Sequence, residues 1–122
     1  MTDKTAKIKR LLKAAIYEKN KYKKTRRLVW LYQAAEKVWV AYVLLIEAIS
    51  GKELKSHRAI NNVSWWLIRK RKIKKRLYED ADILHEYHYE GRLNSKTVVE
   101  KIEFVINEIK RKVIKWNAPS EV

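Results

Sequence analysis

The sequence predicts an all-α protein, an antiparallel bundle of four to five helices forming a single domain. Three observations carry this. Apolar residues recur at three- and four-residue spacing over long stretches, the period of helices with one buried face. Two glycines and one proline in 122 residues leave little material for hairpins, tight turns or long linkers. A chain of this length suits one hydrophobic core, and no internal repeat divides it. The expected domain spans 1–116, and 117–122, which contains Pro119, is expected to be a flexible tail.

The elements follow in order. A first helix over residues 3–24 carries Ile8, Leu11, Leu12, Ala15 and Ile16 on one stripe, with lysines between them. Thr25 is the candidate cap of a second helix reaching about Ser50, with Leu28, Leu31, Ala35, Val38, Tyr42, Leu45 and Ile49 on its inner face. Trp30, Trp39, Val40 and Val43 make this helix apolar on more than one side, so it should be central and enclosed. Gly51 then ends it. Ser56 opens a third helix to about Arg71, offering Ile60, Val63, Trp66 and Leu67 for burial. Leu77, Ala81, Leu84, His85 and His88 trace a fourth, stopped by Gly91. Ser95 is the expected cap of a fifth, which Val98, Val99, Ile102, Val105, Ile106, Ile109 and Val113 carry to about Trp116.

Composition narrows the function classes. Without cysteine there are no disulfides and no thiolate zinc sites, which fits a reducing, cytoplasmic setting. The longest apolar run, Val38 to Ile46, is about half of the roughly 20 residues a membrane span requires. The charged Met1–Arg10 is followed by Leu11–Ile16 interrupted by Lys13, too short and polar for a secretion signal. A soluble protein without a membrane partner is expected.

Charge is the most informative property, with 29 Lys plus Arg against 14 Asp plus Glu, a formal net of +15. Its distribution is uneven. Residues 1–27 and 52–76 each carry net +9, while 28–51 carry −1, 77–94 carry −4 and 95–122 carry +2. Two basic blocks therefore stand out, and polyanions are the natural partner. In the first, Lys19, Lys21, Lys23, Lys24, Arg26 and Arg27 bracket Tyr17 and Tyr22; in the second, Arg69, Lys70, Arg71, Lys72, Lys74, Lys75 and Arg76 follow Trp65 and Trp66. Cations on phosphates give sequence-independent affinity, and exposed aromatics stack on unpaired bases, which favours RNA loops or single strands. Trp65 and Tyr22 are the expected stacking residues. Trp39, Trp66 and Trp116 are expected to pack in the core or an interface.

Glu79, Asp80, Asp82, His85, Glu86, His88 and Glu90 form an acidic, histidine-containing segment, in which Asp82, His85, Glu86 and Tyr89 share a helical face. No HExxH pair, Gly-rich phosphate loop or nucleophile elbow accompanies it, so its expected role is to pair with the adjacent basic block. No metal, cofactor or catalytic residue is expected.

Three stretches carry a family resemblance: Ala34, Ala35, Glu36, Lys37 and Trp39; Ser56, His57 and Arg58; and Ala81, Leu84, His85, Tyr89, Glu90 and Gly91. Together they resemble the archaeal PaREP type of the HEPN-like helical superfamily, over residues 34–91. Tyr87 and His88 stand where that family more often has Asn and Phe. The resemblance implies a bundle that often dimerises, with some branches cleaving RNA through Arg-x(4 to 6)-His and others binding RNA or partner proteins. No arginine precedes His57, His85 or His88 at that spacing; Arg76 lies before His85 with eight residues between.

The expected function is non-catalytic RNA binding, as an accessory component of the ribosome or another ribonucleoprotein. The alternative is a HEPN-like interaction module of a toxin–antitoxin or defence pair, acting as a dimer.

Overall fold

The computed structural model describes residues 3–90 and 94–117, with the backbone alone at 88–90 and 115–117. Five helices form: α1 (Asp3–Thr25), α2 (Leu28–Ser50), α3 (His57–Arg69), α4 (Lys75–Glu90) and α5 (Ser95–Asn117). No strand occurs among the described residues.

As expected, α2 is the central element, packing against each of the other four helices. Its fully buried Ala34, Ala35 and Ala41 let neighbouring backbones approach, while Leu31, Val38, Tyr42, Leu45 and Ile46 fill the space between them. By length and composition α2 could cross a membrane, but half of its apolar window is buried inside the bundle. Gln33 and Glu36 lie exposed on its outer side.

Side-chain pairs give the helix directions. Tyr32 meets Tyr87, Trp39 meets His85 and Tyr42 meets Tyr78, so α4 runs antiparallel to α2. Lys19 and Lys23 meet Glu103, while Lys9 and Leu12 face Lys110 and Val113, so α5 runs antiparallel to α1. The third helix departs from the simple up-and-down pattern. His57 stacks near Trp39 and Ser64 bonds Tyr42, so α3 runs in the same sense as α2. The 51–56 segment makes this possible by turning back along the bundle, with the Leu54 N–H donating to the Glu47 carboxylate at 2.8 Å.

The core matches the predicted stripes at Ile8, Leu12, Ala15, Ile60, Val63, Leu67, Leu77, Ala81 and Leu84, and at Val98, Ile102, Val105, Ile106, Ile109 and Val113. Leu28 is an exception, exposed at the turn, and Leu11, Ile16 and Ile49 are only partly covered. Two polar pairs join the helices, one fully buried and one with its lysine partly exposed. Tyr42 and Ser64 share a hydrogen bond of 2.6 Å, and Lys37 reaches the buried Glu18 carboxylate at 2.6 Å.

Gly51 ends α2 as expected, at φ 74°, and Ser56 caps α3 by accepting the Ala59 N–H at 3.0 Å. Two expected caps shift by one or two residues. Thr25 is the last residue of α1, its hydroxyl donating to Lys21 O and accepting the Arg27 N–H, and Arg27 occupies the cap position of α2. Asn94, not Ser95, caps α5, accepting the Lys96 N–H at 2.8 Å. The third helix stops at Arg69 rather than Arg71. Its end is a Schellman motif in which the Lys72 and Arg71 N–H groups donate to Leu67 O and Ile68 O. Gly91 and residues 118–122 lie outside the described residues.

Candidate nucleic-acid interface

Both basic blocks sit where helices turn. The first closes α1 and crosses to α2 through Arg26 at φ 59°; the second closes α3 and crosses to α4 through Arg71 at φ 58°. Left-handed backbone costs a non-glycine residue roughly 1–2 kcal/mol. Both turns nevertheless carry a guanidinium there.

The carboxylates divide each block in two. Glu103 on α5 takes Lys19 and Lys23, each at 3.1 Å. Burial pushes the Glu103 carboxyl up, but hydrogen bonds from Lys23 and Lys19 outweigh this and hold it below its usual range. In the second block Lys74 meets the buried Glu108 at 3.3 Å, Lys75 meets Glu79 at 3.8 Å, and Arg76 meets the buried Asp80 at 3.3 Å. The remaining cations, Lys21, Lys24, Arg26 and Arg27 at one turn and Arg69, Lys70, Arg71 and Lys72 at the other, have no carboxylate partner among the described residues. All but the half-buried Lys21 are exposed.

The paired cations locate the blocks relative to each other. Glu103 faces α1, whereas Phe104 and Glu108 face the start of α4, where the Arg76 guanidinium lies 3.8 Å from the Phe104 ring centre. Residues 103–108 of a helix span about 7.5 Å. The paired edges of the two blocks therefore flank the same stretch of α5 from its two sides, with the exposed Asn107 and Arg111 between them.

The aromatic residues are distributed differently from expectation. Tyr22 is buried, with 7% of its surface exposed, because it turns inward beneath α5. Its phenol is held below its ordinary value by the Ser95 hydrogen bond and by the Arg26 guanidinium, with burial opposing both. Trp65 is partly covered, edge-on to Tyr78 at 6.0 Å and beneath Lys75. Tyr22 is thus enclosed, and Trp65 is only partly accessible. The exposed rings are Tyr17, at 58%, and Trp66, at 44%. Tyr17 stands edge-on to Trp30 at 6.3 Å, and the Lys21 ammonium lies about 6 Å from both rings. Lys52 covers Trp66 at a similar distance. Trp39 is buried as expected, and the Trp116 side chain lies outside the described residues.

Three acids of the acidic segment pair with neighbouring side chains. Asp80 holds Arg76 and Lys101, Glu79 holds Lys75, and Asp82 accepts from His57 Nε2 at 2.9 Å. His57 and His85 lie parallel at 5.6 Å, both against Trp39, at 5.9 and 4.4 Å. The three stretches carrying the family resemblance thus meet at one stack joining α2, α3 and α4. Burial pushes the Tyr78 phenol up, with the Asp82 charge adding to it, and Tyr78 donates to Asn61. No group of three metal-ligating side chains occurs among the described residues. The side chains of His88, Tyr89 and Glu90 lie outside them.

No family model, curated protein or solved structure matches the chain.

Proposed function

We propose that the chain is a non-catalytic, cytoplasmic RNA-binding protein that contacts phosphates through the α1–α2 and α3–α4 turns. The observation that carries this reading is the division of the charge. Carboxylates neutralise the inner edge of each block, while eight cations at the turns are left without an acidic partner among the described residues. Lysines that only solvate a helix face would be interleaved with acids along it; here the unpaired cations are gathered at two turns, one by the start of α5 and one by its second half. Tyr17 beside Lys21, and Trp66 beneath Lys52, supply ring faces for unpaired bases, which favours single-stranded or looped RNA. A ribosome or another large ribonucleoprotein is the proposed setting, since it offers several phosphates to one small basic domain.

The test is sedimentation of native cell extract at low salt, with and without ribonuclease. The protein is expected to travel with large RNA particles and to be released by ribonuclease or by high salt. Sedimentation as a free protein under all three conditions would overturn the reading.

A second reading, a HEPN-like interaction module acting as a dimer, is favoured by the Trp39–His57–His85 convergence and by Val29 and Val40, which are exposed on the outer face of α2. A concentration-dependent dimer that is indifferent to RNA would support it.

A further inference from the structure

Away from both turns, α1 and α5 leave a groove of about 300 Å³ between them. Its floor is apolar, made by Leu12, Ile16, Val113 and Ile114. Ile114 is 70% exposed, the most exposed large apolar side chain among the described residues. Three lysines, Lys9, Lys13 and Lys110, stand on the rim, all exposed and none with a carboxylate partner among the described residues. Lys9, Lys13 and Ile16 follow one another at helical spacing, so the groove extends along about two turns, roughly 10 Å.

We infer that this groove docks an acidic amphipathic helix of a partner protein. The floor supplies what the apolar stripe of a helix seeks, side chains at i, i+3 or i+4, and i+7. The rim supplies three positive charges for carboxylates flanking that stripe, and matched charge sets both the register and the rate of encounter. Nucleic acid would meet an apolar floor carrying no hydrogen-bonding group. A second copy of this chain is a poorer fit through its own acidic helix, because Leu77, Tyr78, Ala81, Leu84 and Tyr87 of α4 are already buried in the bundle.

The experiment titrates the full chain against a fluorescein-labelled 21-residue peptide with leucines on one helical stripe and glutamates beside it, read by anisotropy. Two control peptides share its length: a scrambled sequence of equal charge, and a version with lysine for glutamate. Binding of the acidic amphipathic peptide is expected to be at least about tenfold tighter than of either control. Ile114→Gln, which adds no charge and sits on the surface, is expected to remove most of that difference, as is the combined Lys9→Gln, Lys13→Gln and Lys110→Gln variant. Circular dichroism checks that both variants keep their helix content. Equal binding of the scrambled peptide would overturn the proposal, as would affinity unchanged in Ile114→Gln. So would a self-associated form, seen by sedimentation equilibrium, that Ile114→Gln dissolves, since the occupant would then be a second copy. Loss of RNA binding in Ile114→Gln with peptide binding intact would assign the groove to RNA and overturn it equally.

Discussion

Replacing Arg69, Lys70, Arg71 and Lys72 together by glutamine removes half of the unpaired turn cations and leaves every described ion pair in place. If each contacts one phosphate of a single strand, the dependence of log K on log salt should become shallower by about 2.8, at roughly 0.7 per contact. Between 50 and 200 mM salt, wild-type affinity should therefore fall about 50-fold further than that of the variant. Folding should hardly change, because surface substitutions outside special features stay within about 0.5 kcal/mol. Glutamine at position 71 also keeps a non-glycine residue at φ 58°, so the backbone cost is unaltered. The matched control, Lys74→Gln with Arg76→Gln, does the reverse. It leaves Glu108 and Asp80, each 4% exposed, with fewer cations, and should cost about 1–3 kcal/mol of stability while changing the salt slope less per residue. The assay is anisotropy of a labelled 20-nucleotide uridine RNA across a potassium chloride series, with thermal unfolding of both variants alongside. A slope unchanged in the turn variant, or reduced equally per residue in the two, would refute the division of the blocks into binding and structural halves.

Tyr17→Ala and Trp66→Ala should each weaken binding to single-stranded RNA by about 1–3 kcal/mol, while Trp65→Ala, whose ring packs on Tyr78, should lower the melting temperature instead; anisotropy and thermal unfolding separate the two outcomes. Arg71→Gly should relieve the left-handed strain and stabilise the fold by about 1 kcal/mol, raising the melting temperature by roughly 4 °C. Tyr42→Phe should cost about 1–3 kcal/mol in chemical denaturation by stranding the buried Ser64 hydroxyl, and adding Ser64→Ala should recover part of it. Because the folded Glu103 carboxyl titrates below its ordinary value of 4.5, its contribution is present above that pH and is lost as pH falls through the lower folded value; Glu103→Gln should flatten this acid limb of the stability profile.

Five helices and most of their buried faces were legible because a 3.6-residue period over about three and a half to six turns overdetermines which side turns inward. Single-residue features were less so. Trp65 and Trp66 are adjacent, about 100° apart on a helix; Trp66 borders the stripe made by Ile60, Val63 and Leu67, and Trp65 lies nearly opposite it. Which one is covered depends on where Tyr78 of α4 stands, and that is a tertiary fact. Tyr22 lies ten residues after Leu12 and seven after Ala15, in phase with the buried stripe, so extending that stripe by two turns would have placed it inside and left Tyr17 out. At the caps, the observed position lies two residues after Thr25, at Arg27, and one before Ser95, at Asn94, shifts too small for the apolar period to resolve. The direction of α3 was not legible, because it depends on the 51–56 segment turning back along the bundle.

The placement of the acids separates a binding surface from a merely solvated one. A chain carrying net +15 must limit its self-repulsion, and the least demanding arrangement intersperses carboxylates evenly among the cations. This chain instead sets Glu103, Glu108 and Asp80 where they also join helices: Glu103 to two lysines of α1, Glu108 to the α3–α4 turn, and Asp80 to Lys101 across α4 and α5. The Glu103 and Glu108 bridges take cations on the inner edges of the blocks, and none of the three carboxylates reaches Lys21, Lys24, Arg26 or Arg27 at one turn or Arg69, Lys70, Arg71 or Lys72 at the other. The turns thus keep a concentrated positive field at positions where the backbone is itself strained, at Arg26 and Arg71. Strained residues persist where the surroundings over-determine them and recur at functional sites. An asparagine or glycine would relieve each position at the loss of one cation. The coincidence of strain, exposure and unpaired charge at both turns is therefore the feature to test by substitution, one turn at a time and then both, since with a single RNA bridging them either variant alone already loses the coupling and the double variant loses less than the sum of the two.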